Sequence, residues 1–372
     1  MRSLTCALAL GCAAALAATA EAEEISPFGI NAHAPTGEAL ERHLDHVEQA
    51  GIGWLRVDFV WALIEPERGR DEWEAYDQIV AAAGERDLEI LGLLAYTPPW
   101  ATDGPAVSGV PRSAADWAAF CHRAASRYRG RVRHWELWNE PNLSAFWAGS
   151  REQHIAGILL PGAQAVHAAD PAAWAGGPAL AHLRASRGDW ATWLLEALRR
   201  AGPELDFVTH HVYDSGGHRE VLRKLRGSTP FPHEPALWHW APPSVREVLA
   251  KAGWLERPFW LTETGFRGDG WLGSLLQSSH YRGFLAGWLE RGTAGAWPAR
   301  VFFYELADPH GGGPRYGIVS SGDRRKPAYH TVYEFTSRWR RGDVPDPHQL
   351  SAADPDEGGS GRRRPPPGGG SE

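Results

Sequence analysis

Eight apolar runs of strand length punctuate the chain, at residues 28–33, 54–61, 89–96, 132–138, 173–181, 207–213, 259–264 and 301–306. Segments of helical period lie between them. Leu40, Leu44 and Val47 recur at three and four residues, as do Trp117, Phe120, Cys121, Ala124 and Tyr128, and Trp190, Trp193, Leu194 and Leu198. Ser113 followed by Asp116 reads as a capping box at a helix start. Strand and helix alternating eight times give an α/β chain that closes as a single (β/α)8 TIM barrel, spanning residues 23–345. An open doubly wound sheet would want a glycine-rich phosphate loop after an early strand. The sequence has neither GxGxxG nor a Walker loop.

The rest of the chain narrows the function classes. Formal net charge is −7 and no long basic run precedes the C-terminus, which argues against nucleic acid as a partner. Residues 1–22 read as a signal peptide: Arg2 is followed by an apolar stretch and by small-x-small sites at Ala18-Thr19-Ala20 and Ala20-Glu21-Ala22. The expected location is therefore secreted or periplasmic. Cys12 sits in a poor lipoprotein context, and no other stretch is long enough for a membrane span. Cleavage leaves Cys121 alone, so no internal disulfide is expected and the core must stabilise a monomer by itself. Residues 346–372 are rich in Gly, Pro and Arg and read as a disordered tail. The 19 Trp residues exceed what such a chain ordinarily carries. Most should fill the core, and a handful should line a cleft, because an indole stacks on the apolar face of a sugar ring.

In a barrel of this kind the C-terminal ends of the strands face the active site. The fourth run ends Trp138-Asn139-Glu140-Pro141, and the seventh places Glu263 between Thr262 and Thr264. A carboxylate leaving a core strand is costly unless something uses it. Two of them, facing each other across the barrel mouth, are the acid/base and nucleophile of a retaining glycosidase. Glu140 and Glu263 are thus the candidate catalytic pair, with a carbohydrate as the substrate. Arg56 on the second strand can hold an ionised Glu263, or pair with Asp58. His211 can orient a carboxyl or a sugar hydroxyl and Tyr213 can donate to the nucleophile, whereas His210 points to the other face of its strand. Tyr96, Trp61, Trp100 and Tyr304 are candidate cleft walls, and Asn31 and His33 candidate partners for sugar hydroxyls. The loop 215–240, rich in Pro, His and Trp, is a candidate lid. No HExxH or other trusted ligand spacing points to a metal, no cofactor motif occurs, and no GxSxG follows a strand. A sugar-binding barrel without catalysis is the other reading.

"WNEP" and "TETG" resemble the strand ends of clan A retaining glycoside hydrolases, most closely family 39, with family 5 as a neighbour. The resemblance runs from about Phe28 to Trp339 and includes "RYGIVSSGDRRKPAYHTVYEF", similar to the closing loop and last helix of such barrels. It implies that Glu140 is the acid/base, that Glu263 is the nucleophile and that Asn139 bonds the sugar 2-hydroxyl. Arg56, His211 and Tyr213 match supporting positions. Two departures stand out. Tyr304 occupies the eighth strand's end, where many clan members place Trp. Little chain follows Trp339 to build the β-domain that xylosidases of the family carry, which leans toward endo action on a polysaccharide over exo-acting β-xylosidase or β-glucosidase activity.

Overall fold

A computed structural model describes residues 26–33, 36–185, 188–227, 243–289 and 297–341. The signal segment, the tail and residues 228–240 of the candidate lid lie outside the described residues. Eight parallel strands form a closed barrel: β1 (Phe28–Asn31), β2 (Trp54–Val60), β3 (Glu89–Ala95), β4 (His134–Leu137), β5 (Trp174–Ala181), β6 (Phe207–His211), β7 (Phe259–Thr264) and β8 (Arg300–Phe303). Around the ring the order is β1-β8-β7-β6-β5-β4-β3-β2, so each strand pairs with its sequence neighbours and β8 closes on β1. The expected (β/α)8 barrel is what forms.

The helices are α1 (Glu38–Gln49), α2 (Trp61–Ile64), α3 (Glu74–Gly84), α4 (Ala114–Arg127), α5 (Arg151–His154), α6 (Leu160–Ala169), α7 (Trp190–Ala201), α8 (His218–Arg226), α9 (Val245–Lys251), α10 (Gly270–Leu289) and α11 (Pro327–Arg340). Their apolar stripes pack onto the strands. Leu40, Leu44 and Val47 of α1 are buried, as are Trp117, Phe120 and Cys121 of α4 and Trp190, Trp193 and Leu194 of α7. The cap on α4 is half of what Ser113 and Asp116 promised. Ser113 Oγ accepts from the Asp116 N–H at 3.3 Å, but the Asp116 carboxylate turns to Arg68. None of the described helices is long and apolar enough to cross a membrane.

Strands β1, β2, β3, β4, β6 and β8 stop short of the ends of their apolar runs, because the last residues of those runs leave the sheet for the mouth. Trp61 opens α2 rather than ending β2, and Trp138 follows β4. At the opposite end a floor closes the barrel. Trp54, Leu91, Phe207, Trp260 and Phe302 form a separate buried cluster there. Phe207 and Trp260 stack at 4.3 Å, and His134 packs on Trp54 and Trp260. Phe302 lies flat over Gly29, and Phe207 over Gly176, so that any Cβ at those glycines would collide with a ring.

Candidate functional site

The site is built on a buried charge network. Arg56, 3% exposed, donates from Nε to Glu136 Oε2 at 2.6 Å, from Nη1 to Asn31 Oδ1 and Glu263 Oε1 at 2.7 Å each, and from Nη2 to Asn139 Oδ1 at 3.1 Å. Burial works against its charge, but Glu136 and Glu263 outweigh that and raise its pKa. Asp58, the alternative partner for Arg56, makes no such bond and lines the cleft instead. Glu136 is wholly buried and accepts from Thr262 Oγ1 at 2.7 Å. Sequence reasoning gave Glu136 no role. The signal for it was a carboxylate alternating with Trp135 and Leu137 inside a four-residue strand.

Register puts the remaining groups in place. His211 of β6 pairs with Glu263 of β7, after an irregularity at His210. Tyr213 Oη donates to Glu263 Oε2 at 2.8 Å, and His211 Nδ1 meets Glu140 Oε1 at 3.0 Å and Glu263 Oε2 at 3.6 Å. Burial depresses the His211 imidazolium, yet the charges of Glu263 and Glu140 more than compensate and leave its pKa raised. Burial, and then Glu263, push the Tyr213 phenol well above its ordinary value, so it stays a donor. Single oxygens of Glu140 and Glu263 and a ring nitrogen of His211 lie within 4.8 Å of one another. Two carboxylates and an imidazole also form a donor set that a divalent cation accepts. Here both Glu263 oxygens are already held by Arg56 and Tyr213, and a cation would sit against the guanidinium.

The backbone around Glu140 is unusual. Trp138 has φ 72° and Glu140 φ 41°, left-handed values that non-glycine residues avoid. Asn142 holds this turn: its amide donates to Ala181 O at 2.8 Å and accepts from Ala181 N at 3.0 Å, as a strand partner would. Trp138 Nε1 donates to Phe146 O at 3.0 Å and its ring is fully buried, which anchors the other side.

A cleft of about 370 Å³ opens over these groups, lined by Arg56, Asn139, Glu140, Tyr213 and Glu263 and walled by Tyr96, Phe146, Tyr304 and Tyr316. His33 stands at its edge. Among the described residues the cleft has no tryptophan in its wall, contrary to expectation. Trp61 is fully buried, stacked on Phe120 at 5.5 Å with its Nε1 on Glu65 at 2.8 Å. Trp100 lies behind the cleft, donating to Glu65 O at 2.7 Å beneath Arg68. Asn31 is 2% exposed and spends its amide on Arg56, Thr262 O and Phe303 O, which leaves nothing for a sugar. His210 is buried against His182, as its position on the far face of the strand required.

Comparison with known proteins agrees with this arrangement. Residues 109–263 match the family model of glycosyl hydrolases family 39, a stretch that contains Glu140 and ends on Glu263. The chain is 30% identical over 129 residues to a β-xylosidase of Geobacillus stearothermophilus, covering 28% of this chain and 25% of that enzyme. It is 42% identical over 60 residues to the β-galactosidase BgaA of a Thermus species, covering 15% of this chain and 9% of that one. The matched stretches thus span a quarter or less of these relatives. In fold it is similar to a family 39 glycoside hydrolase from the gut symbiont Bacteroides cellulosilyticus, with a TM-score of 0.66 at 19% identity over 86% of this chain and 65% of that one.

Proposed function

We propose that this chain, a family 39-like glycoside hydrolase of clan A, hydrolyses a β-linked glycoside by double displacement with retention of configuration. The observation that carries the reading is the distance between the two carboxylates, within 4.8 Å at their facing oxygens. Retaining enzymes hold their pair about 5–5.5 Å apart, whereas inverting enzymes leave room for a water between. Glu263, ionised beside Arg56, attacks the anomeric carbon while Glu140 protonates the departing oxygen. Water then attacks the glycosyl-enzyme with Glu140 now acting as base. Tyr213 and Arg56 fix the nucleophile's two oxygens. His211 bridges acid and nucleophile. Asn139, its carbonyl held by Arg56, keeps its NH2 free to donate to a sugar hydroxyl. The leader read in residues 1–22 supports a secreted or periplasmic enzyme. The similarity to a β-xylosidase and a β-galactosidase makes their aryl glycosides the first substrates to try.

The test is digestion of aryl β-xylosides, β-galactosides and β-glucosides by wild type and Glu263→Ala, with the product anomer read by NMR, with and without chelator. The expected result is a β product from wild type in both media and a rate at least ~10⁴-fold lower from a variant that melts like wild type. An α product, chelator sensitivity, or near wild-type turnover by Glu263→Ala would overturn the assignment.

A further inference from the structure

A second hollow, about 810 Å³ in volume, opens beside the cleft above β8 and β1. It shares His33, Tyr304 and Tyr316 with the cleft, so the two adjoin. Its floor carries Glu305, which follows Tyr304 on the chain and is 7% exposed. Among the described residues the Glu305 carboxylate makes no hydrogen bond; its ion-pair contact is His33 Nε2, at 3.5 Å and beyond a good hydrogen bond. A nearly buried carboxyl without a hydrogen-bond partner, facing a cavity, is a group awaiting a ligand. Burial first, then Asp308 and Glu263, raise its pKa to about 7. Near neutrality Glu305 therefore both donates and accepts, which suits a hydroxyl. Asp308 beside it, held by Lys326, discourages an anionic sugar.

Position along the ring supplies the direction. β8 stands diametrically across the barrel from β4, with three strands between them on either side. Glu140 follows β4 and protonates the leaving oxygen, so the leaving half of a substrate lies on the β4 side. The other half must extend past Glu263 on β7 toward β8 and β1. Resting on the hydrolase reading above, we infer that this hollow binds a neutral sugar unit on the non-reducing side of the one attacked, making the enzyme one that cleaves within an oligosaccharide rather than trimming its terminal unit.

The experiment compares kcat/KM on 4-nitrophenyl β-xyloside with β-xylobioside, and β-glucoside with β-cellobioside, for wild type and for Ala307→Trp. Ala307 lines the hollow but not the cleft. The expectation is a bioside preference above tenfold, with the disaccharide released intact, that collapses in the variant while its monoside rate stays put. Should the variant fail to fold, the wild-type ratio and the released product decide alone. Equal rates on both members of a pair, with single sugars leaving the non-reducing end, overturn this subsite and leave the hydrolase reading standing. No cleavage of any glycoside by folded wild type overturns both.

Discussion

Arg56 reaches side chains on β1, β4 and β7 and on the turn after β4, through hydrogen bonds to Asn31, Glu136, Glu263 and Asn139. Two of these partners, Glu263 and Asn139, face the substrate in the proposed chemistry, whereas Asn31 and Glu136 do not. Glu136 shares the guanidinium's charge and, through Thr262, ties β4 to β7. Glu136→Leu strands half of a buried ion pair, and such losses cost about 3–5 kcal/mol. Chemical denaturation should show that loss, and Glu136→Gln, which keeps one acceptor, should show less. An unchanged midpoint for Glu136→Leu would mean that Glu263 alone satisfies Arg56. At this scale the sequence was legible where a carboxylate broke an apolar frame at the end of a strand, as Glu140 and Glu263 do. It was illegible for tryptophan. An indole that fills the core and one that walls a cleft look alike in sequence, and Trp61 and Trp100 went to the core and its margin.

The turn after β4 is the element on which the site depends. Its two left-handed residues, Trp138 and Glu140, are conformations that the neighbouring structure must impose. Asn142 imposes part of that by pairing with Ala181 of β5. Asn142→Ala removes both bonds without touching the cleft. A misplacement near 1 Å costs about 10²-fold in rate, so kcat should fall by that order with KM changing little. A matching loss in the Asn142→Asp variant, which can still accept from Ala181 N, would place the effect in the bond donated to Ala181 O. The positions of the strands were readable from their apolar runs, yet their ends were not, because residues such as His33 and Trp138 remain apolar or aromatic after leaving the ladder. Nothing in the sequence marked the π turn at Ile155–Leu159 between α5 and α6, since the wider turn leaves no trace in composition.

Across the described residues, desolvation favours the neutral form of His134, His154, His182 and His210. Burial holds His134 down to about 4 and His154 and His182 to about 3, and lowers His210 as well. Their folded values lie below the unfolded 6.5, so the unfolded chain binds more protons in the window between. Stability from these groups is complete above pH 6.5 and drains away as pH falls toward 3, at about 1.4 kcal/mol per pH unit for each proton taken up. Glu305 runs the other way: with its folded value raised to about 7, the fold loses stability as pH rises from 4.5 through 7. Melting temperatures should therefore fall steeply below pH 6. Replacing His154, whose two ring nitrogens have no partner, by Leu should flatten the slope. A slope indifferent to that substitution would place the acid sensitivity elsewhere.

The aromatic floor gives the barrel a single doorway. Phe207, Trp260 and Phe302 seal one end, so everything that visits Glu263 arrives and departs through the mouth where Glu140 waits. A sugar just released therefore queues in the path of the next water. On the proposed mechanism the glycosyl-enzyme would meet whichever hydroxyl is most crowded at that entrance. In concentrated oligosaccharide a sugar hydroxyl would then replace water as the acceptor, and the same site would transfer glycosyl units instead of releasing them.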